Sequence, residues 1–286
     1  MSETNSPENP ALAGTMTGVR STLAVGAGKG GVGKSTAAAL LAIGLQRRGA
    51  SVGLLDADVY GPSIPTLMNV ADQRPEIDAE DKRIFPVEAK GVKLISIGLL
   101  VDANEAIVWR GPMVHGVVQQ FLQQVEWGKL DYLIVDLPPG TGDVPLTLSQ
   151  SIPMTGAVVI STPQDIALQD ACRAVKMYRA LKVPCLGIVE NMSYYLCPEC
   201  GHREEIFDCG GAQQAAGVLG VPYLGAIPLN APLRRFCDAG TPENSLDPGE
   251  GNDQMAAALD TIVSNVIEQV EERHKAGDTS PTLSVE

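Results

Sequence analysis

Apolar positions along the chain come in short unbroken runs, and most runs are followed by a stretch of helical character. Residues 21–28 (STLAVGAG), 51–58 (SVGLLDAD), 130–140 (LDYLIVDLPPG), 156–162 (GAVVIST), 185–191 (CLGIVEN) and 221–228 (VPYLGAIP) each predict a buried strand. Between them, residues 34–49 are good helix formers stopped by Gly49, residues 112–127 fit a helix entered through Pro112, and a further helix is predicted near 165–181. In residues 252–274, Met255, Leu259, Ile262, Val263, Val266, Ile267 and Val270 recur on one helical face. Residues 74–98 are less regular and predict short strands or a hairpin. Strands that are apolar throughout and alternate with helices imply an α/β fold, a mainly parallel sheet with helices on both faces. Residues 1–20, rich in Ser, Asn, Pro and Gly, and residues 276–286 are expected to be tails flanking a single domain over 21–275.

Composition narrows the partners. With 34 acidic against 21 basic residues the formal charge is −13, which argues against a nucleic-acid or anionic-membrane partner. No apolar run is long enough to span a bilayer, and the N-terminus lacks a basic-then-apolar signal pattern, so a cytoplasmic location is expected. In a reducing compartment the six cysteines are expected as thiols or metal ligands rather than disulfides.

Between the first predicted strand and helix, GKGGVGKS (Gly28 to Ser35) satisfies the phosphate-loop pattern. Gly28, Gly30, Gly31 and Gly33, with Val32 between them, allow backbone N–H groups to turn toward phosphates, and the helix N-terminus adds positive potential. Lys34 is placed for the β- and γ-phosphates of ATP, Ser35 for Mg²⁺ and Thr36 for the α-phosphate. Asp136 ends an apolar strand where a second metal-site carboxylate belongs. Asp56 and Asp58 end another, at the edge where parallel sheets bind ligands. Asp58 is the favoured water-positioning residue and Asp56 is secondary.

CPECGH places Cys197 and Cys200 two residues apart, a spacing that turns two thiolates toward one metal centre, with Pro198 and Gly201 suited to a tight loop. A Cys₄ cluster needs four thiolates, and a symmetric dimer supplies them by repeating each ligand across its twofold axis, which makes a bridging [4Fe–4S] cluster the natural reading. Three others stay open. Cys197, Cys200, His202 and Cys209 could form a Cys₃His zinc site, the pair could be a redox dithiol, or all could be plain thiols. Cys172, Cys185 and Cys237 read as small core residues, and His115 and His274 have no evident partner.

The loop's early lysine, Lys29, has no role in an ordinary phosphate loop. GKGGVGKST resembles the deviant Walker A motif of the septum-site, chromosome-partitioning and nitrogenase-iron-protein group. DADVYGPSIP, WRGPM, VDLPPGTGD, STPQD, ENMSYYLCPECG and GAIPLN narrow the resemblance to Mrp-type iron–sulfur cluster carrier ATPases, over residues 26 to about 230. That resemblance implies a homodimer in which Lys29 reaches the partner's nucleotide, Gly140 sits in a γ-phosphate-sensing loop, and Asn191 contacts the nucleobase. It implies one [4Fe–4S] cluster between subunits, taken from an assembly scaffold and passed to recipient apo-proteins, with slow ATP hydrolysis. The chain departs from the family pattern at Cys209, in IFDCGG. Family members often carry a separate N-terminal domain, whereas this chain starts almost at its first strand. Rival readings are a positional switch ATPase and a zinc- or nickel-handling ATPase using the same cysteines.

Overall fold

The computed structural model describes residues 16–78, 80–100, 111–197, 200–249 and 251–277. In chain order the elements are β1 (Val19–Gly26), α1 (Lys34–Arg47), β2 (Val52–Asp56), α2 (Ile64–Leu67), β3 (Glu76–Asp78), β4 (Arg83–Phe85), β5 (Val87–Ala89) and β6 (Val92–Ser96). They continue with α3 (Gly111–Gln124), β7 (Leu130–Asp136), α4 (Asp143–Ser151), β8 (Gly156–Ser161), α5 (Asp165–Ala180) and β9 (Cys185–Leu196). The last are β10 (Arg203–Glu204), α6 (Gly211–Leu219), β11 (Tyr223–Leu229), α7 (Ala231–Asp238) and α8 (Asp253–Lys275).

One nine-stranded sheet runs in the order β10-β9-β8-β1-β7-β2-β6-β5, with β11 also on β9. Its centre is parallel: β1 pairs with β7 and β8, β2 with β7 and β6, and β9 with β8 and β11. Among the described residues only the short β5 and β10 pair antiparallel with this sheet, and β3–β4 form a separate hairpin. The irregular 74–98 region therefore resolves into two hairpins.

Each sheet face carries its own apolar layer. On one, Leu40, Ile43 and Leu45 of α1 meet Leu259, Val263 and Val266 of α8 over Leu23, Leu54 and Val158. On the other, Phe121 and Leu122 of α3, Leu148 of α4, Val175 and Tyr178 of α5 and Ala216 of α6 cover Leu55, Leu133 and Val159. Coverage of both faces explains why the strands are apolar at every position rather than alternately. The apolar face of α8 is docked, with six of the seven residues singled out above buried and Ile267 partly buried against the same layer.

The N-terminal boundary differs from the expected tail. Residues Met16–Gly18 form a 3₁₀ turn and β1 begins at Val19, inside the segment expected to be unstructured. Val19 pairs with Leu130, the Arg20 guanidinium meets Glu271 at 3.1 Å, and the Ser21 hydroxyl lies 2.8 Å from His274 Nε2. These long-range partners leave no trace in local composition. They also give His274 a partner, and His115 has one in Ser151, 3.0 Å away.

Candidate functional site

Parallel register brings the nucleotide site together. Asp136 of β7 lies level with Val25 of β1 on one side and Asp56 of β2 on the other, so the loop after β1 and both carboxylates share one sheet edge. The loop between β1 and α1 turns through Gly31 and Gly33, at φ 81° and 82°, a region open to glycine at little cost. Gly33 is the N-cap of α1 and no side chain caps it, so the helix's first N–H groups face the loop. A cavity of about 240 Å³ is lined by Lys29, Gly30, Gly31, Gly33, Lys34, Ser35, Thr36, Asp58, Ser63 and Pro139.

Lys34 is 6% exposed, and its Nζ donates to Asp136 Oδ1 at 2.5 Å and lies 3.5 Å from Asp58 Oδ2. Ser35 Oγ donates to Asp136 Oδ2 at 2.5 Å. Cation, hydroxyl and carboxylate thus converge at the cavity wall, a donor set that fits a triphosphate and its Mg²⁺. Burial pushes the Asp136 carboxyl up, against the opposing pull of Lys34 and Ser35. Asp56 is fully buried, and burial, then repulsion from Asp136, raises its carboxyl to about 8. Its Oδ2 accepts from Ser96 Oγ at 2.9 Å and its Oδ1 from the Asp58 N–H at 3.1 Å. Asp56 therefore orients Asp58 from behind, and Asp58 is the one that reaches the cavity.

Lys29 is partly exposed on the cavity wall, and among the described residues it makes no ion pair. The Thr36 side chain lies near the Cys237 thiol of α7. Gly28 and Val32 do not line the cavity. A Cβ at Gly28 would fall 2.1 Å from the backbone of Asp170, so this glycine lets α5 approach the loop. Gly140 donates its N–H to Ala27 O at 2.8 Å, which ties the loop after β7 to the phosphate loop, while Pro139 is the residue facing the cavity.

Asn191 is the residue whose placement the sequence conveys least. It is 8% exposed, donates Nδ2 to Val32 O at 2.8 Å, and accepts from the Met192 N–H at 3.0 Å. In this structure it braces the phosphate loop from β9. One Nδ2 hydrogen beyond that bond is left for another acceptor.

The same strand carries the cysteines. Cys197 is half-buried just past the end of β9, and Cys200 is exposed; Pro198 and Glu199 between them lie outside the described residues, as do Trp109 and Arg110 of WRGPM. The Cys197 carbonyl accepts from Gly201 N at 2.9 Å and its N–H donates to His202 O at 2.9 Å, closing a tight hairpin. Among the described residues no group of three or more His, Cys, Asp or Glu is placed to hold a metal ion. The four-ligand zinc cage is thus not assembled: the His202 ring faces Glu204 at 3.2 Å, and Cys209 Sγ accepts from Arg203 at 3.6 Å. Cys172, Cys185 and Cys237 are partly buried, and Cys185 packs against the apolar layer under α3, α4, α5 and α6. Burial raises the Cys185 thiol to about 11. Glu190, which the sequence reading passed over, is a fully buried carboxylate beside Asn191. A lone acid closing an apolar strand was the available signal.

Comparison with known proteins settles the family. A family model described as ParA, NUBPL iron-transfer P-loop NTPase, matches residues 18–267. The chain belongs to the NUBPL-type iron-transfer P-loop NTPase family. It is 52% identical over 225 residues to an iron-sulfur cluster carrier protein of Haemophilus influenzae, covering 79% of this chain and 60% of that one. It is 43% identical over 254 residues to the iron-sulfur cluster transfer protein NUBPL of Dictyostelium discoideum, covering 89% and 78%. The chain thus spans about 60% of the length of bacterial curated relatives such as the Haemophilus protein. A nucleotide-binding protein of Archaeoglobus fulgidus, solved in complex with ADP, superposes with TM-score 0.74 at 38% identity, covering 84% of this chain and 94% of that one. The cell division ATPase MinD of Pyrococcus furiosus, at TM-score 0.62 and 18% identity over 87% and 99%, shares the fold.

Proposed function

We propose that this chain is an ATP-binding, slowly hydrolysing iron–sulfur cluster carrier that works as a homodimer. The observation that carries the reading is the cysteine hairpin. Cys197 and Cys200 lie at one end of β9 with no third ligand group gathered on them among the described residues, and Cys200 is exposed. Two thiolates leave a four-iron cargo half-ligated, and a second copy about a twofold axis supplies the other two. A cargo held between subunits leaves when the subunits part, which suits transfer from a scaffold to recipient apo-proteins.

The nucleotide site supports the same reading. On ATP binding, Lys34 exchanges carboxylate partners for phosphate oxygens, and the loop and α1 N–H groups surround the phosphates. Ser35 and Asp136 are the residues that would hold Mg²⁺, which when bound draws phosphate oxygens together and offsets their charge. Asp58, held by Asp56, orients the attacking water. Among the described residues no histidine or other strong general base lines the cavity, so turnover is slow. Lys29, with no ion pair among the described residues, is available to a nucleotide in the facing subunit, and the spare Asn191 N–H suits a nucleobase acceptor. The docked face of α8 leaves that helix no free apolar stripe for a membrane, and no described helix is long and apolar enough to cross one.

The test is anaerobic reconstitution with iron and sulfide. The carrier takes up about four irons per dimer with a brown chromophore, and Cys197→Ala or Cys200→Ala loses both. Colourless protein holding one zinc per chain would overturn the reading.

A further inference from the structure

Glu190 and Asn191 are neighbours on β9, so their side chains leave opposite faces of the sheet. Asn191 holds the phosphate loop through Val32. Glu190 holds something else. Its Oε1 accepts from Gly210 N at 2.9 Å and Ser193 Oγ at 2.6 Å, and its Oε2 accepts from Ala212 N at 2.7 Å. Gly210 and Ala212 begin α6, directly after Cys209. The chain between β9 and α6 is the cysteine hairpin with its return limb. That limb pairs as β10 on Leu196 and Tyr195, stacks Arg203 over the Tyr194 ring at 4.0 Å, and ends on the Glu190 carboxylate.

Between these anchors and the cysteines the strand is irregular. Met192 sits at φ 56°, and the pairing of β9 with β11 shifts register between Ile227 and Leu229. A side chain at positive φ is held there by its surroundings. Here the Asn191 side chain supplies part of that hold by accepting the Met192 N–H. Asn191 thus joins the phosphate loop to the kink, and its neighbour Glu190 joins the same stretch of β9 to the return limb of the hairpin.

We infer that Glu190 is a positioning residue that ties the return limb of the cysteine hairpin to the strand bracing the phosphate loop, so that bound nucleotide alters the reactivity of the Cys197–Cys200 pair. This rests on the carrier reading above and adds to it the route between its two sites. Glu190 touches neither cargo nor nucleotide. It acts through Gly210 and Ala212.

The experiment follows alkylation of Cys200 by iodoacetamide in the cluster-free full chain, by mass spectrometry, with and without ATP and Mg²⁺. Wild type is expected to change rate by about fivefold or more on adding nucleotide. Glu190→Gln sets an amide NH₂ against the N–H of Gly210 or Ala212, because each carboxylate oxygen accepts from one of them. In that variant the nucleotide effect falls to about twofold or less while ATP affinity stays near wild type. Amide exchange rises at Gly210 and Ala212 but not in α1, which a general loss of structure would not reproduce. Should Glu190→Gln not fold, Ser193→Ala removes one of the three donors and is expected to shrink the effect partway. An undiminished effect in the variant that folds overturns the inference, as does a wild-type chain whose Cys200 ignores nucleotide. A chain that binds ATP and takes up iron but shows no such response removes this coupling and leaves the carrier reading. A chain that takes up no iron removes the carrier reading itself.

Discussion

Replacing Asn191 by alanine tests the claim that β9 braces the phosphate loop. The side chain is 8% exposed and makes two hydrogen bonds, to Val32 O at 2.8 Å and from Met192 N at 3.0 Å. Truncation leaves a buried carbonyl and a strand N–H without those partners, each costing roughly 1–3 kcal/mol, less whatever water entering the gap recovers. A net loss of about 2 kcal/mol or more is expected, read as a lower urea midpoint at unchanged m-value. Because the freed group is in the loop itself, affinity for the triphosphate falls as well. That part of the loss, on the order of tenfold, applies equally to ATP and GTP, since the loop holds phosphates and not bases. Isothermal titration with both nucleotides separates this from any contact of the spare N–H with the base, which would weaken ATP alone. Stability within about 0.5 kcal/mol of wild type would refute the reasoning, whatever happened to binding.

Gly33→Ala should be at least as damaging: its Cβ would lie 2.2 Å from Asn191 Nδ2, at a φ of 82° that alanine disfavours. Thermal melting and nucleotide titration check it, and near-normal ATP binding would contradict the observed loop geometry. Asp56 predicts a pH effect. Folded, its carboxyl keeps its proton up to about 8, whereas unfolded it releases it near the ordinary 3.8. The folded state therefore binds more protons across that window, and stability falls as pH rises through it. Asp56→Asn, neutral and similar in shape, should flatten this decline; equal urea-midpoint slopes for variant and wild type would refute it. Lys29→Ala should retain ATP binding but lower phosphate release by about tenfold or more. An unchanged rate removes its role across the interface.

Much of the fold could be read from the chain because its strands are apolar throughout and its longest helices strongly periodic. The docked face of α8 and the strand ending in Asp136 follow from local pattern alone. Four shorter helices did not show, the single-turn α2 among them. Of these, α4, α6 and α7 run to only nine, nine and eight residues, too short a window for a helical period to stand out, and α4 also carries Pro145. In the site, the glycine loop, Lys34 and Ser35 were legible because phosphate binding demands that local spacing. Asn191 and Glu190 were not, because their work is set by partners far away in sequence or on the other sheet face. Asn191 meets Val32 across 159 positions, and no local pattern encodes that meeting. The choice of Asp58 over Asp56 rested on little in the sequence, and the structure separates them by burial and by which one reaches the cavity.

The central claim is that each chain holds half of a shared cargo site. Native mass spectrometry of the anaerobically reconstituted full chain tests it in one spectrum. The account predicts a dimer bearing a single four-iron, four-sulfide cluster, which collapses to bare monomers in the Cys197→Ala variant. A monomer carrying an intact cluster would contradict it.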